Sequence, residues 1–339
     1  MKLITISFIA LLGAAAQQTQ EQPAPTRAAF LKLVDRPRVP LAPQTQPMKI
    51  QGMTGTHFTF TSDSEQRVPG IMIKRADSQG RRPVVITLHG TGGSKEDFGG
   101  VLQELANRGF VAVAIDGRYH GERARSRFGN EYEDAIFRAY KTGKEHPLYY
   151  DTAWDVMRLM DYLETRDDVD PKRIGLLGIS KGGIETYLTA AADPRVAVAV
   201  PCIGVQSFQW ALEHDSWESR VGTFQFAIDR SAKDAGSGLN AQFVRKFYDR
   251  VVPGINSDFD GPAMLPLIAP RPLLVINGDS DSLTPMPGVL EAAAKATEAY
   301  AAAGAKEKFA LRVQKNTGHD VTLASLQEAI SWFTTWLKP

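Results

Sequence analysis

The chain has 339 residues, of which 43% are hydrophobic and 23% are charged. This is the composition of a soluble globular protein with room for one large domain or two small ones. The formal net charge is only +1, which argues against a surface built for nucleic acid or an anionic membrane. The single cysteine, Cys202, rules out an internal disulfide, and its apolar surroundings indicate an inert buried thiol.

The N-terminus has the pattern of a secretory signal peptide. A lysine at the second position precedes a mostly apolar run at residues 3–12 and a run of small residues that ends at Ala16. The apolar run is too short to span a bilayer as a helix. We therefore predict cleavage near Ala16 and an exported protein; a buried N-terminal helix is the alternative. Residues 17–50 are predicted to form a linker or extension before a domain at 51–339.

Short β-rich runs then alternate with helical patterns. Alternating polar and aromatic residues predict an edge strand at 56–62, and continuous apolar runs predict strands buried on both faces. These buried strands are predicted at 83–89, 110–116, 173–179, 196–202, 272–278 and 309–314. With helical patterns between them, they predict an α/β fold whose mostly parallel central sheet carries helices on both faces.

Residues 204–269 interrupt this alternation. They contain helical fragments and no clear strand, which predicts a helical cap inserted after the fourth buried strand. The cap is expected over the carboxyl edge of the sheet, where open α/β sheets bind ligands. Its aromatic residues include Trp210 and Trp217, which either line a substrate pocket or form the cap's own core.

Ser180 stands in the sequence Gly-Ile-Ser-Lys-Gly, between a predicted buried strand and a helix. The pattern G-x-S-x-G is weak by itself, but this position is the one that a nucleophile elbow requires. A serine hydroxyl needs a base and an acid that orients the base. The loop after the fifth buried strand offers Asp279 and Asp281, and the loop after the sixth offers His319. His319 could instead only pack beside the last helix.

An ester hydrolase also needs backbone donors for the oxyanion. The Lys181 N–H, next to Ser180, is one candidate, and the Thr91 N–H in the glycine-rich loop after the first buried strand is the other. That loop could instead serve packing alone. His89, Gly90 and His120 are further candidates for the pocket, and the Lys181 side chain is expected in solvent. We expect no metal, since no H-E-x-x-H or His/Cys cluster occurs, and no nucleotide cofactor, since no dinucleotide fingerprint occurs.

Five motifs occur in the right order for one known superfamily. The segments LHGTGGS, GFVAVAIDGRYHGER, DVDPKRIGLLGISKGG, PLLVINGDSD and TGHD resemble the α/β-hydrolases, in particular the dienelactone-hydrolase and prolyl-oligopeptidase-like esterases. The resemblance covers about residues 68–337. It implies that Ser180 is the nucleophile, His319 the general base and acid, and Asp281, rather than Asp279, the orienting acid. The serine departs from the cysteine of dienelactone hydrolases, and the chain has no room for an oligopeptidase propeller.

The sequence therefore predicts an exported serine esterase without a cofactor. The expected substrate is a small-molecule or saccharide-linked ester, and no nucleic-acid partner or membrane span is expected in the mature protein. An acylaminoacyl or oligopeptide hydrolase with the same three residues remains an alternative. A non-catalytic binding protein of the same fold is a second one.

Overall fold

The computed structural model describes residues 24–125 and 130–339. The predicted signal peptide lies outside the described residues. Within them, one nine-stranded sheet has the order β1-β2-β3-β5-β4-β6-β7-β8-β9. The strands are β1 (Gln44–Ile50), β2 (Met53–Asp63), β3 (Gln66–Arg75), β4 (Arg82–Leu88), β5 (Val111–Ile115), β6 (Val169–Ile179), β7 (Val196–Cys202), β8 (Leu273–Gly278) and β9 (Phe309–Gln314).

Strands β1 to β3 are antiparallel, β3 also pairs antiparallel with β5, and β4 to β9 run parallel to their neighbours. The helices are α1 (Pro25–Val34), α2 (Gly99–Asn107), α3 (Glu131–Thr142), α4 (Tyr150–Glu164), α5 (Lys181–Ala192), α6 (Phe208–Glu213), α7 (Gln225–Asp234), α8 (Ala241–Val251), α9 (Gly261–Met264), α10 (Met286–Ala302) and α11 (Leu323–Leu337). The prediction of an α/β fold with a mostly parallel sheet is confirmed.

Helices cover both faces of the sheet because its central strands are apolar on both sides. One core contains Trp154 of α4 and Tyr187 of α5, and the other contains Leu102 of α2 and Phe333 of α11. The six predicted buried runs form β4 to β9. Strand β9 is the exception in burial: it lies at the sheet edge and is only partly covered.

The segment before residue 51 contains more structure than a linker. Helix α1 inserts Phe30 and Val34 into the core, and the Phe30 ring lies 5.1 Å from that of Tyr150. Strand β1 pairs with β2 and takes the sheet edge. The strand predicted at 56–62 is therefore present as part of β2, but its predicted position at the sheet edge is wrong. The sequence pattern of β1 is weak because most of its residues are polar and exposed, although Met48 and Ile50 pack against the core.

Between β7 and β8 the chain forms α6 to α9 and short 3₁₀ turns, without a strand. We call residues 204–269 the cap. Its interior is aromatic: Phe208, Phe224, Phe247 and Tyr248 are buried and stack edge-to-face or in parallel. No helix in the described ranges is long and apolar enough to cross a membrane.

Candidate active site

Ser180 occupies a strained turn between β6 and α5. Its φ is 58° and its ψ is −116°, a region that residues with a side chain rarely adopt. The Ser180 N–H donates to the Cys202 carbonyl at 2.9 Å, which ties the turn to β7. The side chain is consequently held at the carboxyl edge of the sheet, directly ahead of the unpaired N–H groups at the start of α5.

The neighbouring glycines permit this turn because no side chain fits beside it. A Cβ at Gly178 would lie 2.0 Å from the Gly182 carbonyl oxygen, and a Cβ at Gly182 would lie 2.1 Å from the Leu88 carbonyl oxygen. These contacts are with backbone, which cannot move aside. The glycines of the sequence motif therefore allow α5 to pack against the ends of β4 and β6.

The loops after β6, β8 and β9 bring three predicted residues into one hydrogen-bonded chain. His319 Nε2 lies 2.7 Å from Ser180 Oγ, and His319 Nδ1 lies 2.8 Å from Asp281 Oδ2. The order serine, imidazole, carboxylate is the arrangement in which an imidazole can accept the serine proton while its other nitrogen donates to an acid.

Asp281, and not Asp279, is the carboxylate beside His319. Asp281 also accepts hydrogen bonds from the backbone N–H groups of Leu283 and Thr284 and from the Thr284 hydroxyl. Burial acts to raise the pKa of Asp281, but the hydrogen bonds from His319 and Thr284 outweigh burial and lower it. Asp279 is instead turned to solvent, where its Oδ1 accepts from the Ser280 hydroxyl and the Thr317 N–H.

His89 supports the glycine-rich loop. Its Nε2 accepts from the Gly117 N–H at 2.9 Å, so its Nδ1 carries the proton and donates to the Gly90 carbonyl at 2.7 Å. Burial and the nearby charge of Lys181 hold the pKa of His89 well below its ordinary value. The imidazole is therefore neutral, and it fixes the glycine-rich loop that includes Thr91, a residue lining the cavity at Ser180.

A small cavity of about 30 Å³ opens at Ser180. Its lining comes from the turn, the glycine-rich loop, the cap and the Asp281 loop: Thr91, Tyr149, Ser180, Lys181, Ile184, Ile203, Gln206, Ser219, Arg220, Thr223, Tyr248, Leu283, Thr284 and His319. Neither the Thr91 nor the Lys181 N–H has an acceptor among the hydrogen bonds of residues 24–125 and 130–339. Both remain available as donors to a ligand.

The other predicted pocket residues lie elsewhere. His89 and Gly90 stand behind the loop rather than in the cavity, and Trp217 packs against the cap's core. Trp210 stacks on His214 with ring centroids 4.7 Å apart. His120 lines a neighbouring cavity of about 660 Å³. None of these residues lines the cavity at Ser180, and a role for them in substrate binding stays a prediction. The cap presents its loops and one helix to Ser180 and keeps its indole rings aside.

The cavity contains residues that no motif in the sequence marked. Tyr149, Gln206, Arg220 and Tyr248 come from α4's N-terminal flank and from the cap. Tyr149 has a positive φ of 70°, which its residue type does not predict, because a positive φ is usually found at glycine. Only the folded chain brings these side chains to Ser180. The prediction that the Lys181 side chain lies in solvent is also wrong, because the side chain is buried.

No group of His, Cys, Asp and Glu suited to a metal occurs in the part of the chain that the structure describes. Cys202 is buried, and burial raises the pKa of its thiol to about 12. The groups that meet at the carboxyl edge of the sheet are a hydroxyl, an imidazole, a carboxylate and backbone N–H donors.

Comparison with protein families gives a match over residues 32–214 to the family described as acetyl xylan esterase (AXE1). The match spans more than half of the chain. The chain belongs to the acetyl xylan esterase family. It is accordingly a carboxylic ester hydrolase, and the prediction of that enzyme class is confirmed.

Individual curated relatives share only about a quarter to a third of their residues with the chain over the aligned regions. The chain is 26% identical over 289 residues to the putative hydrolase YtaP of Bacillus subtilis, which covers 81% of this chain and 85% of the relative. It is 30% identical over 129 residues to a 4-O-methyl-glucuronoyl methylesterase of Podospora anserina, but this covers only 37% of the chain and 25% of the relative.

Solved structures show the same fold. Acetyl xylan esterase 1 from Thermoanaerobacterium sp. JW/SL YS485 superposes with a TM-score of 0.69, at 18% identity and with 92% of each chain covered. A glucuronoyl esterase from Solibacter usitatus gives a TM-score of 0.61 at 16% identity, with 91% of each chain covered. This member of the acetyl xylan esterase family is an esterase of the acetyl xylan and glucuronoyl esterase type.

Proposed function

We propose that the protein is an exported serine esterase that removes acetyl groups from saccharide hydroxyls, with Ser180, His319 and Asp281 as its catalytic residues. The observation that carries the proposal is the unbroken hydrogen-bond chain from Ser180 Oγ through both His319 nitrogens to Asp281. The family match supports the acetyl ester and the saccharide.

The first half-reaction transfers the acyl group to Ser180. His319 Nε2 accepts the hydroxyl proton as Ser180 Oγ attacks the ester carbonyl carbon. Asp281 keeps the Nδ1 proton on the imidazole and stabilises the imidazolium that forms. The carbonyl oxygen becomes an oxyanion, which the Thr91 and Lys181 N–H groups stabilise. His319 then donates its proton to the leaving alcohol, the carbon–oxygen bond to that alcohol breaks, and an acyl-enzyme remains.

The second half-reaction uses the same groups in reverse order. His319 removes a proton from water, whose oxygen attacks the acyl carbon. The tetrahedral intermediate collapses, the bond to Ser180 Oγ breaks, and His319 returns its proton to that oxygen. The products are the free acid and the regenerated serine.

The size of the cavity at Ser180 supports a short acyl group. About 30 Å³ holds about two or three water-sized groups, which suits an acetyl group. A uronoyl ring, the acyl part of a glucuronoyl ester, is far larger. The alcohol side is assigned to the adjoining cavity of about 660 Å³, which shares Thr91 and Thr223 with the first and carries polar groups such as Tyr119, Glu96 and Glu133.

Export is part of the proposal and rests on the N-terminal pattern of residues 1–16. An exported location suits a saccharide that the cell cannot import. Fusion of residues 1–30 to a reporter enzyme that is active only outside the cytoplasm tests it. A fusion protein that accumulates in the cell without reporter activity would remove this part and leave the chemistry untouched.

The chemical test compares Ser180→Ala with a control at another serine, Ser280→Ala, which is exposed on the Asp281 loop. Substrates are 4-nitrophenyl acetate, its butyrate analogue, an acetylated xylo-oligosaccharide and a methyl glucuronate ester. Ser180→Ala is expected to lower kcat/KM by at least about 10³-fold, whereas Ser280→Ala retains activity. Acetyl esters should exceed the others. A folded Ser180→Ala protein that still hydrolyses acetyl esters would overturn the assignment of the nucleophile.

A further inference from the structure

Arg220 is a buried cation in the cavity of the proposed nucleophile. Arg220 is 5% exposed and lines the same cavity as Ser180, and its guanidinium carbon lies 5.1 Å from the centre of the Phe208 ring. It comes from the cap, in a 3₁₀ turn at Trp217–Arg220. In the described ranges no carboxylate lies within salt-bridge distance of it.

The hydrogen bonds of Arg220 use only part of its guanidinium. Nε donates to the Ser219 hydroxyl at 3.0 Å and Nη2 donates to the Leu283 carbonyl. Nη1 has no acceptor among residues 24–125 and 130–339, and it is not sealed from the cavity. Since a guanidinium carries five N–H donors, several remain for a ligand.

Asp260, a buried carboxylate of the cap, does not fill this role. Its two oxygens accept from the Phe208, Gln209 and Gly261 N–H groups and from the Ser207 hydroxyl. Burial lowers the pKa of Arg220, and the more distant charge of Asp260 opposes that shift only in part. A buried charge without a direct counter-ion is costly, so such a group is expected where an anion binds during function.

A second side chain in the cavity also lacks a partner. The Gln206 carboxamide is 2% exposed and makes no hydrogen bond within the described residues; its oxygen is buried and unpaired. An amide NH₂ is a suitable donor to a carboxylate oxygen, and the assignment of the amide nitrogen and oxygen follows the ligand.

We propose that the cavity at Ser180 is a binding site for a short carboxylate, the acid released from the ester, held by Arg220 and Gln206. The proposal rests on the proposed function for the identity of that acid, namely acetate. A space of about 30 Å³ takes about two or three of the four heavy atoms of acetate, and both Ser180 and Arg220 line it. A neutral ester gains little from the cation, whereas the acetate anion gains a charge-assisted hydrogen bond.

The consequence is product inhibition. Acetate competes with the ester for the cavity, and longer acids are excluded by its size. The test measures inhibition of 4-nitrophenyl acetate hydrolysis by acetate, by hexanoate and by acetamide, which has the shape of acetate without its charge. Acetate is expected to be a competitive inhibitor with an inhibition constant at least about 10-fold below those of acetamide and hexanoate. Equal inhibition by acetate and acetamide in the unmodified protein overturns the proposal.

A pair of variants assigns the site. Arg220→Gln should raise the inhibition constant for acetate at least about 10-fold, and Arg245→Gln, at a partly exposed arginine of α8, should leave it unchanged. A folded Arg220→Gln protein with an unaltered constant overturns the role of Arg220. If this variant does not fold, the acetate and acetamide comparison decides. Acetate-dependent thermal stabilisation of Ser180→Ala measures binding without turnover, so loss of the catalytic assignment would not hide it.

Discussion

Lys181 Nζ lies 2.6 Å from Glu185 Oε1, one turn along α5, and both side chains are buried directly behind Ser180. Burial raises the pKa of Glu185, and the charge and hydrogen bond of Lys181 oppose that rise. The residue that follows the proposed nucleophile thus contributes in two ways. In the proposed mechanism its N–H stabilises the oxyanion, and its side chain holds the first turn of α5, which carries that N–H.

Removing one partner of this buried pair should be strongly destabilising. Lys181→Met leaves the Glu185 carboxyl buried without its cation, and we expect the free energy of unfolding to fall by about 3–5 kcal/mol. The double variant Lys181→Met with Glu185→Leu should recover most of that loss because no buried charge remains. Urea unfolding of the two single variants and the double variant measures the coupling. Additive effects of the two substitutions would contradict the ion pair.

The two carboxylates of the loop after β8 give a matched pair of substitutions. Asp281→Asn keeps the shape of the side chain but no longer stabilises the imidazolium, and it permits the wrong His319 tautomer. We expect kcat to fall about 10³- to 10⁴-fold. Asp279→Asn, at the partly exposed carboxylate two residues earlier, should stay within about 3-fold of the unmodified protein, since only turn contacts change. Steady-state kinetics with 4-nitrophenyl acetate measures kcat for both variants. A larger loss of kcat in Asp279→Asn than in Asp281→Asn would make Asp279 the orienting acid.

Glycine substitutions separate close packing from helix propensity. Gly182→Ala places a Cβ 2.1 Å from the Leu88 carbonyl oxygen, and we expect a loss of at least about 3 kcal/mol or failure to fold. Gly100→Ala in α2 meets nothing within 4 Å and should be neutral or stabilise by up to about 1 kcal/mol, since alanine is the better helix former. Thermal unfolding of the two proteins compares them; equal melting temperatures would show that α5 can move away from β4.

The sequence predicted the parts of the site that lie on regular elements. Ser180, Asp281 and His319 each follow a strand whose apolar run is legible, and strand ends of a parallel sheet meet at one edge. The order of these three residues along the chain was therefore enough to predict that they lie close together. The family resemblance favoured Asp281 over Asp279, and the fold gives the physical reason, because both stand in the same loop and only Asp281 is turned towards His319.

The cap side of the cavity was not predictable in this way. Arg220, Gln206 and Tyr248 belong to short helices and turns of residues 204–269, whose arrangement depends on packing between distant side chains rather than on local periodicity. Aromatic residues in such a segment suggest a pocket or a core equally well. In the structure, Phe208 and Phe224 are buried in the core of the cap. Strand β1 could not be predicted for a different reason: its side chains show almost no alternation between buried and exposed positions.

Asp260 should make the stability of the protein depend on pH. It anchors the cap by accepting the N–H groups at the start of α6 and α9. Burial raises the pKa of its carboxyl from 3.8 to about 6, and hydrogen bonds from the Gln209, Phe208 and Gly261 backbone oppose burial only in part. A carboxyl whose pKa is higher in the folded state stabilises that state while protonated. Its contribution is complete below about pH 4 and disappears as the pH rises through about 6.

The comparison that isolates this effect is between the unmodified protein and Asp260→Asn. The difference in their free energies of unfolding should change in favour of Asp260→Asn by about 2 kcal/mol between pH 4 and pH 7, which follows by linkage from the raised pKa. Asp258→Asn, at an exposed carboxyl of the same cap segment, should show no such trend. Urea unfolding at each pH gives the three curves. Parallel curves for the unmodified protein and Asp260→Asn would mean that the Asp260 carboxyl is ionised normally and that the cap is anchored by charge at every pH.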